Sequence, residues 1–376
     1  MIPVMRPWLG EEEVAAAAAT IRSGWVAQGP RVAEFEERLA AHVGNTAGVA
    51  VSSCTTGLHL VLHALGIGPG DEVVVPSLSF IATANAPRYV GATPVFADVD
   101  LVTQNLTAAT IDAVATERTA AVIAVHQVGM PLDLDEIRRY CAGRGIRIIE
   151  DAACASGSVY RDSMVGAGPD PVVFSFHPRK LLTTGEGGMI ITADTELATR
   201  LRTLRQHAMS VSALDRHAAR ATDFEEYPEL GFNFRMTDMQ AAVGIVQLDK
   251  LDAMVERRRV LAALYGEALG PIPGLRVPVD PPYGRTNFQS YTLVVEDAFP
   301  VSRNGLMEKL HEAGVATRRG VMAAHREPTF DDHDAAPLPN TEWLADRAMI
   351  MPMYHSMTES DLGMVVDRIG RVADGE

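Results

Sequence analysis

The chain has 376 residues, of which 47% are hydrophobic and 22% are charged. This length predicts one large domain with a smaller one, or two comparable domains, and the globular composition excludes a disordered or fibrous protein. The 33 basic and 48 acidic side chains give a formal net charge of −15, which repels polyanions and argues against nucleic acid as a partner.

Cysteine spacing and hydropathy bear on the cellular compartment. The three cysteines, Cys54, Cys141 and Cys154, include no C-x-x-C pair. The sequence therefore predicts neither a disulfide framework nor a structural zinc site, and we expect no bound metal. The first residues lack a basic segment followed by an apolar one, and there is no run of about 18 apolar residues that could span a bilayer. We expect a cytoplasmic protein that does not bind membranes.

Short β-branched segments alternate with amphipathic ones over the first half of the chain. Seven of these segments are predicted strands, at residues 48–51, 72–75, 94–97, 121–125, 146–150, 172–176 and 189–192. Most are apolar throughout, which indicates a sheet that is covered on both faces. Leu58, Val61, Leu62 and Leu65 recur at helical spacing and predict a crossover helix. The pattern predicts an α/β domain with a mostly parallel seven-stranded sheet between two helical layers.

The pattern changes after residue 240. A long helical stretch at 239–269 carries the charged run 256–259 (ERRR), which we interpret as a solvated helix face. A strand-like segment at 290–295 and a helix near 306–313 follow. These elements predict a smaller α+β domain. The predicted domains are residues 1–249 and 250–376.

Polar side chains follow three of the strands, at the edge where open parallel sheets bind ligands. Residues 52–57 (SSCTTG) open a helix, so they suit a phosphate, although an ordinary N-cap explains this segment better when it is taken alone. Asp151 ends the fifth strand and needs a partner such as a protonated ring nitrogen, or else caps a helix that begins at residue 152. Lys180 follows the sixth strand and can form an imine, or it is an ordinary surface lysine. Together these are the groups that pyridoxal 5'-phosphate (PLP) requires.

Six stretches of the chain carry a resemblance to a known family. They are residues 23–30 (SGWVAQGP), 76–85 (PSLSFIATAN), 91–96 (GATPVF), 150–153 (EDAA), 174–180 (FSFHPRK) and 231–236 (GFNFRM). In this order and spacing they resemble the nucleotide-sugar aminotransferases of the DegT/StrS family, which are fold-type I PLP enzymes. The resemblance implies a three-layer α/β/α large domain and a smaller α+β C-terminal domain.

The resemblance also implies roles for individual residues. Lys180 matches the lysine that binds the cofactor as an imine and then shuttles a proton, and Asp151 matches the carboxylate that pairs with the pyridine nitrogen. Cys154 stands where the family usually has Gln as a cofactor contact, and a thiol is a poor hydrogen-bond donor. The remaining cofactor contacts implied are Thr55, Thr56, Phe80, Ser175 and Asn233. Asn233 matches a residue that reaches the phosphate from a neighbouring subunit, which implies a homodimer with a shared active site.

The substrate contacts are drawn from three parts of the sequence. Trp25 matches a segment that borders the substrate pocket, and His126 stands in the loop after the fourth strand. Arg318, Arg319 and His325 could meet a diphosphate, although exposed arginines in a loop explain the same pattern. We expect the loops near His126, at 209–227 and at 283–330, to shape the pocket.

The implied reaction is a ping-pong transamination. An amino donor, L-glutamate by resemblance, passes its nitrogen to the PLP cofactor, and the resulting pyridoxamine form (PMP) passes it to the keto group of a nucleotide-linked deoxysugar. Three alternatives remain open. They are an aminotransferase of a keto-cyclitol, a PLP/PMP-dependent sugar dehydratase and a noncatalytic PLP-binding regulator. Lys180 argues against the dehydratase, because that related group has histidine in place of the lysine.

Overall fold

The computed structural model describes residues 1–210, 225–331 and 336–375. Its strands are β1 (Ala47–Val51), β2 (Glu72–Pro76), β3 (Thr93–Ala97), β4 (Thr119–Val125), β5 (Arg147–Asp151), β6 (Val159–Tyr160), β7 (Ser163–Met164), β8 (Val172–Ser175), β9 (Gly188–Thr192), β10 (Leu275–Arg276), β11 (Gly284–Arg285), β12 (Tyr291–Val295), β13 (Arg318–Arg319) and β14 (Ala348–Met351). Its helices are α1 (Glu11–Ser23), α2 (Pro30–Val43), α3 (Cys54–Ala64), α4 (Ile81–Tyr89), α5 (Ala108–Asp112), α6 (Leu134–Cys141), α7 (Thr195–Leu204), α8 (Asp238–Leu269), α9 (Arg303–Glu312), α10 (Pro339–Arg347) and α11 (Glu359–Ala373). Short 3₁₀ turns lie at Gln127–Gly129, Ala324–Arg326 and Pro328–Phe330.

The largest sheet contains seven strands in the order β1-β9-β8-β5-β4-β2-β3. Strand β9 runs antiparallel to β1 and β8, and the other neighbouring strands are parallel. Each strand corresponds to one predicted from the sequence, so the mostly parallel seven-stranded sheet is confirmed. Because β2, β4, β5 and β8 run in the same direction, their carboxyl ends meet at one edge.

Helices cover both faces of this sheet. Ala50 of β1 joins the hydrophobic cluster that contains Phe35 of α2 and Leu251 of α8. Its neighbour Val49 points to the other face, in the cluster that contains Leu58 of α3. Successive strand residues alternate between faces, and both faces are buried here. The three-layer α/β/α arrangement is therefore confirmed.

The second sheet has the antiparallel order β10-β12-β14-β13. Helices α9 and α11 pack on one face through a cluster that includes Leu306 and Ile369. The opposite face carries Val294 and Ala348, which pack against Leu78 directly after β2. The smaller α+β unit is thus confirmed, with one sheet face turned toward the large sheet. A third sheet has the order β11-β6-β7.

Helix α8 links the two units. Thr237 caps it through a hydrogen bond from the Gln240 amide to the Thr237 hydroxyl, and the helix continues for 32 residues. The buried Asp238 carboxylate accepts hydrogen bonds from the amides of Gly29 and Val32, which fixes the N-terminal segment to its first turn. The division at residues 249 and 250 lies inside this helix and remains a proposal.

Two local expectations are wrong. The run 256–259 is not a fully solvated face, because Arg258 is 4% exposed and its Nη1 donates to the carbonyls of Phe288 and Gln289. Arg259 also has a partner, since it forms an ion pair with Asp280. No helix begins at residue 152, because turns follow β5, so Asp151 does not act as a helix cap.

No helix in the described ranges has both the length and the apolar composition that crossing a membrane requires.

Candidate active site

Asp151 stands at the carboxyl end of β5 and is 4% exposed. Its Oδ2 accepts a hydrogen bond of 2.9 Å from Thr83 Oγ1, and its Oδ1 accepts one of 3.1 Å from the Ala153 amide. The Cys54 thiol lies 3.9 Å from Oδ1. Burial raises the pKa of this thiol, and the Asp151 carboxylate raises it further, so Cys54 is a neutral neighbour. None of the ion pairs between described residues includes Asp151, and a buried carboxylate with neutral partners favours a cationic ligand.

The N-terminus of α3 lies beside the ends of β8 and β9. Ser53 caps the helix and accepts a hydrogen bond from the Thr56 amide, while Thr56 Oγ1 donates to the Ser53 carbonyl at 2.8 Å. The N-cap interpretation is thus correct for Ser53, but it leaves the Cys54 and Thr55 amides without helical acceptors, because these are the first residues of the helix. Such amides attract anions.

A glycine brings this helix end close to Ser175. Ser175, the last residue of β8, pairs with Gly188 of β9. A Cβ atom at Gly188 would lie 2.7 Å from the Cys54 amide nitrogen, so only glycine permits this approach. The end of β8 therefore lies against the open amides of α3, and we expect the Ser175 hydroxyl and the half-buried Thr55 side chain to complete an anion-binding corner there. The Thr56 hydroxyl is already engaged in the cap.

Lys180 lies in the loop between β8 and β9. Its Nζ is 3.1 Å from Cys154 Sγ. Burial acts to lower the pKa of Lys180, but the nearby Cys154 and the Asp151 carboxylate outweigh it and raise the pKa. Both residues therefore act on one amine at the carboxyl edge of the sheet. This places the sequence-predicted Lys180, Asp151 and Cys154 together.

Phe80 and Asn233 are both exposed. Phe80 precedes α4 with 67% of its surface exposed. Asn233 lies between Phe232 and Phe234, whose stacked rings have centroids 4.9 Å apart, and its backbone bridges to Gln206. Their proposed roles, stacking on the cofactor and reaching a neighbouring subunit, remain predictions.

Trp25 is half-buried before α2. Its Nε1 donates to the Gln28 carbonyl at 3.4 Å, which closes a turn at the end of the segment that Asp238 fixes. Its proposed contact with substrate remains a prediction. Residues 211–224, part of the segment 209–227 expected to shape the pocket, lie outside the described residues.

The two arginines of β13 point in opposite directions. Arg318 pairs with Ile350 and Arg319 with Met349, and Met349 belongs to the face that α9 and α11 cover. Burial lowers the pKa of His177, and the positive charge of Arg318 is among those that lower it further. Arg318 therefore lies on the sheet face turned toward the large sheet, near the loop that contains Lys180, whereas Arg319 lies on the other face, 3.8 Å from Glu327.

His325 connects the smaller unit to the end of β2. Its Nδ1 lies 2.6 Å from the Ser77 hydroxyl, and its Nε2 lies 3.4 Å from a Glu342 carboxylate oxygen. Burial lowers the pKa of His325. Because both ring nitrogens already have partners, the structure gives His325 a connecting role, and its contact with a diphosphate remains a prediction.

The prediction that His126 contacts substrate is wrong. Its side chain is 0% exposed, its Nδ1 accepts from the Leu132 amide, and its Nε2 therefore carries the proton that bonds to Glu150 Oε2 at 3.0 Å. Glu150 precedes Asp151 in β5 and so faces the other side of the sheet, where Arg138 bonds its second oxygen. His126 belongs to this buried network.

Three further residues of the site are not singled out by the sequence analysis. Thr83 bonds to Asp151 from the first turn of α4, and its position three residues after Phe80 is the one clue to it. Asn287 and Gln289 come from a distant part of the chain and bond to the backbone beside Cys154 and Lys180. Contacts between amide side chains and backbone leave no spacing pattern.

The chemistry of these groups fits PLP. The corner at Ser175 and α3 suits a phosphate, the Asp151 carboxylate suits a protonated ring nitrogen, and Lys180 supplies an amine beside them. No described group of three His, Cys, Asp or Glu side chains is arranged to hold a metal ion.

Comparisons with known proteins agree with this site. A model of the DegT/DnrJ/EryC1/StrS aminotransferase family matches residues 7–370. The spore coat polysaccharide biosynthesis protein SpsC of Bacillus subtilis (strain 168) is 38% identical over 379 aligned positions, covering 100% of this chain and 97% of that protein.

Solved structures show the same fold. The aminotransferase TlmJ from Streptoalloteichus hindustanus superposes with a TM-score of 0.92 at 36% identity, covering 100% of this chain and 99% of that one. The sugar aminotransferase Spr1654 from Streptococcus pneumoniae is 25% identical, with TM-scores of 0.93 for its PMP form and 0.91 for its PLP form; this chain is covered completely and that one by 100% and 99%. The predicted fold type, enzyme class and PLP/PMP cofactor are confirmed, and the chain belongs to the DegT/DnrJ/EryC1/StrS aminotransferase family.

Proposed function

We propose that this protein moves an amino group from L-glutamate to the keto group of a nucleotide-linked deoxysugar, in two alternating half-reactions on one cofactor. The observation that carries the proposal is the meeting of Lys180 Nζ with Cys154 and the charge of Asp151 at the carboxyl edge of the sheet. The relatives of this chain include a protein of spore coat polysaccharide biosynthesis and sugar aminotransferases, which supports a sugar as the acceptor.

The residues of the chain divide the work between binding and proton transfer. When bound, PLP supplies a carbon that amines attack and a protonated ring that accepts the electron pair released when a proton leaves. Asp151, oriented by Thr83 and Ala153, holds the proton on the ring nitrogen. Lys180 would attach the cofactor and, once its amine is free, would carry a proton between the substrate carbon and the cofactor. The first turn of α3 and Ser175 bind the phosphate.

Substrate binding requires a cation, because the expected acceptor carries a diphosphate. Arg318 meets this need, since it lies near the Lys180 loop, and a guanidinium binds phosphate oxygens in two-point geometry. This arrangement reconciles an anionic substrate with a chain whose net charge is −15. The alternative of a keto-cyclitol acceptor lacks the diphosphate and leaves Arg318 unused.

The assembly and compartment are also part of the proposal. We propose a homodimer in which the exposed Asn233 reaches the phosphate in the neighbouring subunit. The three cysteines are free thiols, which suits the reducing cytoplasm.

An absorption experiment tests the reaction. We expect the purified protein with PLP to show a visible band that bleaches when L-glutamate is added, and borohydride reduction followed by peptide mapping to place the cofactor on Lys180. A panel of keto-sugar nucleotides and keto-cyclitols should then restore the band only with the nucleotide sugars. An adduct on another lysine, or no bleaching with any amino acid, contradicts the proposal.

A further inference from the structure

Residues 286–289, which we name the clasp, hold a strained backbone conformation between the two units. Phe288 has a φ of 48° and is 8% exposed. Bulky residues rarely adopt this left-handed conformation, and it persists only where the surroundings enforce it. The contacts around the clasp must therefore hold it in this conformation.

Side chains from three positions enforce the conformation. The Phe288 amide donates to Thr286 Oγ1 at 3.1 Å, and the Gln289 amide donates to Asn287 Oδ1 at 2.8 Å. Arg258 of α8 donates to the carbonyls of Phe288 and Gln289 at 2.9 and 3.1 Å. Burial lowers the pKa of Arg258 to about 10, and no carboxylate among the described residues forms an ion pair with it. The protein thus buries a charge, at a cost in stability, to fix these two carbonyls.

The clasp is hydrogen-bonded to the loop that contains Lys180. Gln289 Oε1 accepts a hydrogen bond of 3.0 Å from the Leu181 amide, and its Nε2 donates one of 2.6 Å to the Arg179 carbonyl. Gln289 is 8% exposed, so water competes little for these bonds. One carboxamide therefore fixes the backbone on both sides of the lysine.

The clasp is also hydrogen-bonded to the loop after β5. Asn287 Nδ2 donates to the carbonyls of Cys154 and Ser156, each at 2.8 Å. Its Oδ1 packs so closely on Gly129 that a Cβ atom there would lie 2.0 Å away. Four consecutive residues thus tie the loop that follows Asp151 to the loop that carries Lys180.

We propose that Gln289 is a positioning residue for Lys180, and that Arg258 holds Gln289 in place. Transfer of a proton between the amine and a substrate carbon depends steeply on their alignment, and an error of about 1 Å costs roughly 100-fold in rate. The clasp supplies that alignment across the two units. This inference rests on the proposed function, because it assigns Lys180 as the proton carrier.

Two substitutions separate the two hydrogen bonds. Gln289→Met keeps the side-chain length and removes both bonds, whereas Gln289→Glu keeps the acceptor for the Leu181 amide and loses the donor to Arg179. The matched control is Asn45→Ala, because Asn45 Nδ2 also bridges two backbone carbonyls, those of Gly166 and Gly168, and does not touch the Lys180 loop. Thermal unfolding checks that each variant is folded.

Three readouts test positioning. In Gln289→Met we expect hydrogen exchange at the Leu181 peptide to accelerate roughly 10-fold, and the single-turnover bleaching rate to fall roughly 10-fold to 100-fold with little change in KM for L-glutamate. We also expect the pH midpoint of the visible band to shift. Gln289→Glu should keep the Leu181 protection and recover part of the rate, and Asn45→Ala should resemble the unmodified protein in all three.

The outcomes distinguish the two proposals. Faster exchange at Leu181 with an unchanged band midpoint and an unchanged single-turnover rate means that Gln289 only stabilises the loop, which overturns the inference and leaves the proposed function intact. If the unmodified protein forms no band on Lys180, the proposed function fails and the inference falls with it. The exchange measurement, which needs no cofactor, then still reports whether the clasp holds the loop.

Discussion

The substitution Asp151→Asn should have opposite effects on cofactor binding and on the cofactor-free protein. The carboxylate is 4% exposed, and its hydrogen-bond partners within the described chain are neutral. Without cofactor, Asn removes a buried charge, which offsets the loss of its attraction to Lys180, and the Thr83 hydroxyl can turn to accept from the new amide. We therefore expect the free energy of unfolding to change by less than about 1 kcal/mol.

The cofactor-bound protein should lose much more. A hydrogen bond between the carboxylate and a protonated ring nitrogen is worth about 1.5–3 kcal/mol, so its loss should weaken PLP binding roughly 10-fold to 150-fold. The assays are thermal unfolding after removal of the cofactor, and titration of the visible band with PLP. We expect turnover to fall by a larger factor than PLP affinity, because without the carboxylate the ring nitrogen no longer keeps its proton.

A second carboxylate provides the control. Asp170 accepts a 2.7 Å hydrogen bond from Arg138 Nε, on the other face of the sheet. Burial raises the pKa of Asp170, but Asp170→Asn deprives the half-buried Arg138 guanidinium of a charged partner, so it should destabilise the protein by about 1 kcal/mol or more and leave PLP affinity unchanged. The reasoning is refuted if Asp151→Asn unfolds as easily as Asp170→Asn and still binds PLP with native affinity.

Three further predictions address the helix end, the lysine and the substrate cation. Gly188→Ala forces a Cβ atom to within 2.7 Å of a backbone amide and should cost about 1–3 kcal/mol in thermal unfolding; an unchanged midpoint contradicts the close approach. The residues around Lys180 raise its pKa, so its neutral amine forms only at higher pH. Because Cys154→Gln removes one of these residues, it should move the pH profile of PLP attachment to lower pH, as measured by stopped-flow absorbance. Movement to higher pH, or none, shows that Cys154 does not set this pKa. In steady-state assays, Arg318→Ala should raise KM for the nucleotide sugar roughly 10-fold or more, because a charged hydrogen bond is lost. Arg319→Ala should leave KM unchanged. Equal effects of the two substitutions would contradict the strand register, which places the two side chains on opposite faces.

The large sheet could be predicted because its signal is local. Most of its strands are uninterrupted apolar segments, and burial on both faces produces that pattern directly. Asp151 and Lys180 were identified because each follows a strand, and the topology then brings the strand ends together. Strand order placed these two residues at one edge of the sheet, and the resemblance to the family then assigned their roles.

The errors arose where the direction of a side chain decides its role. His126 also follows a strand, but its ring faces the side of Glu150 rather than that of Asp151. The run that contains Arg258 has the composition of a solvated face, and only the approach of the clasp carbonyls from a distant segment makes its burial possible. Gln289 contacts backbone rather than other side chains, so no pattern in the sequence reports it.

Helix α8 fixes the distance between the segment before α2 and the clasp. At about 1.5 Å per residue, the 20 residues from Asp238 to Arg258 span about 30 Å. Asp238 anchors the segment before α2, and Arg258 anchors the clasp, so a rigid rod separates the two anchored walls. Their spacing cannot change without bending a continuous helix. Under the proposed function, differences in the size of the substrate would therefore be met by the loops, while the rod keeps this distance constant.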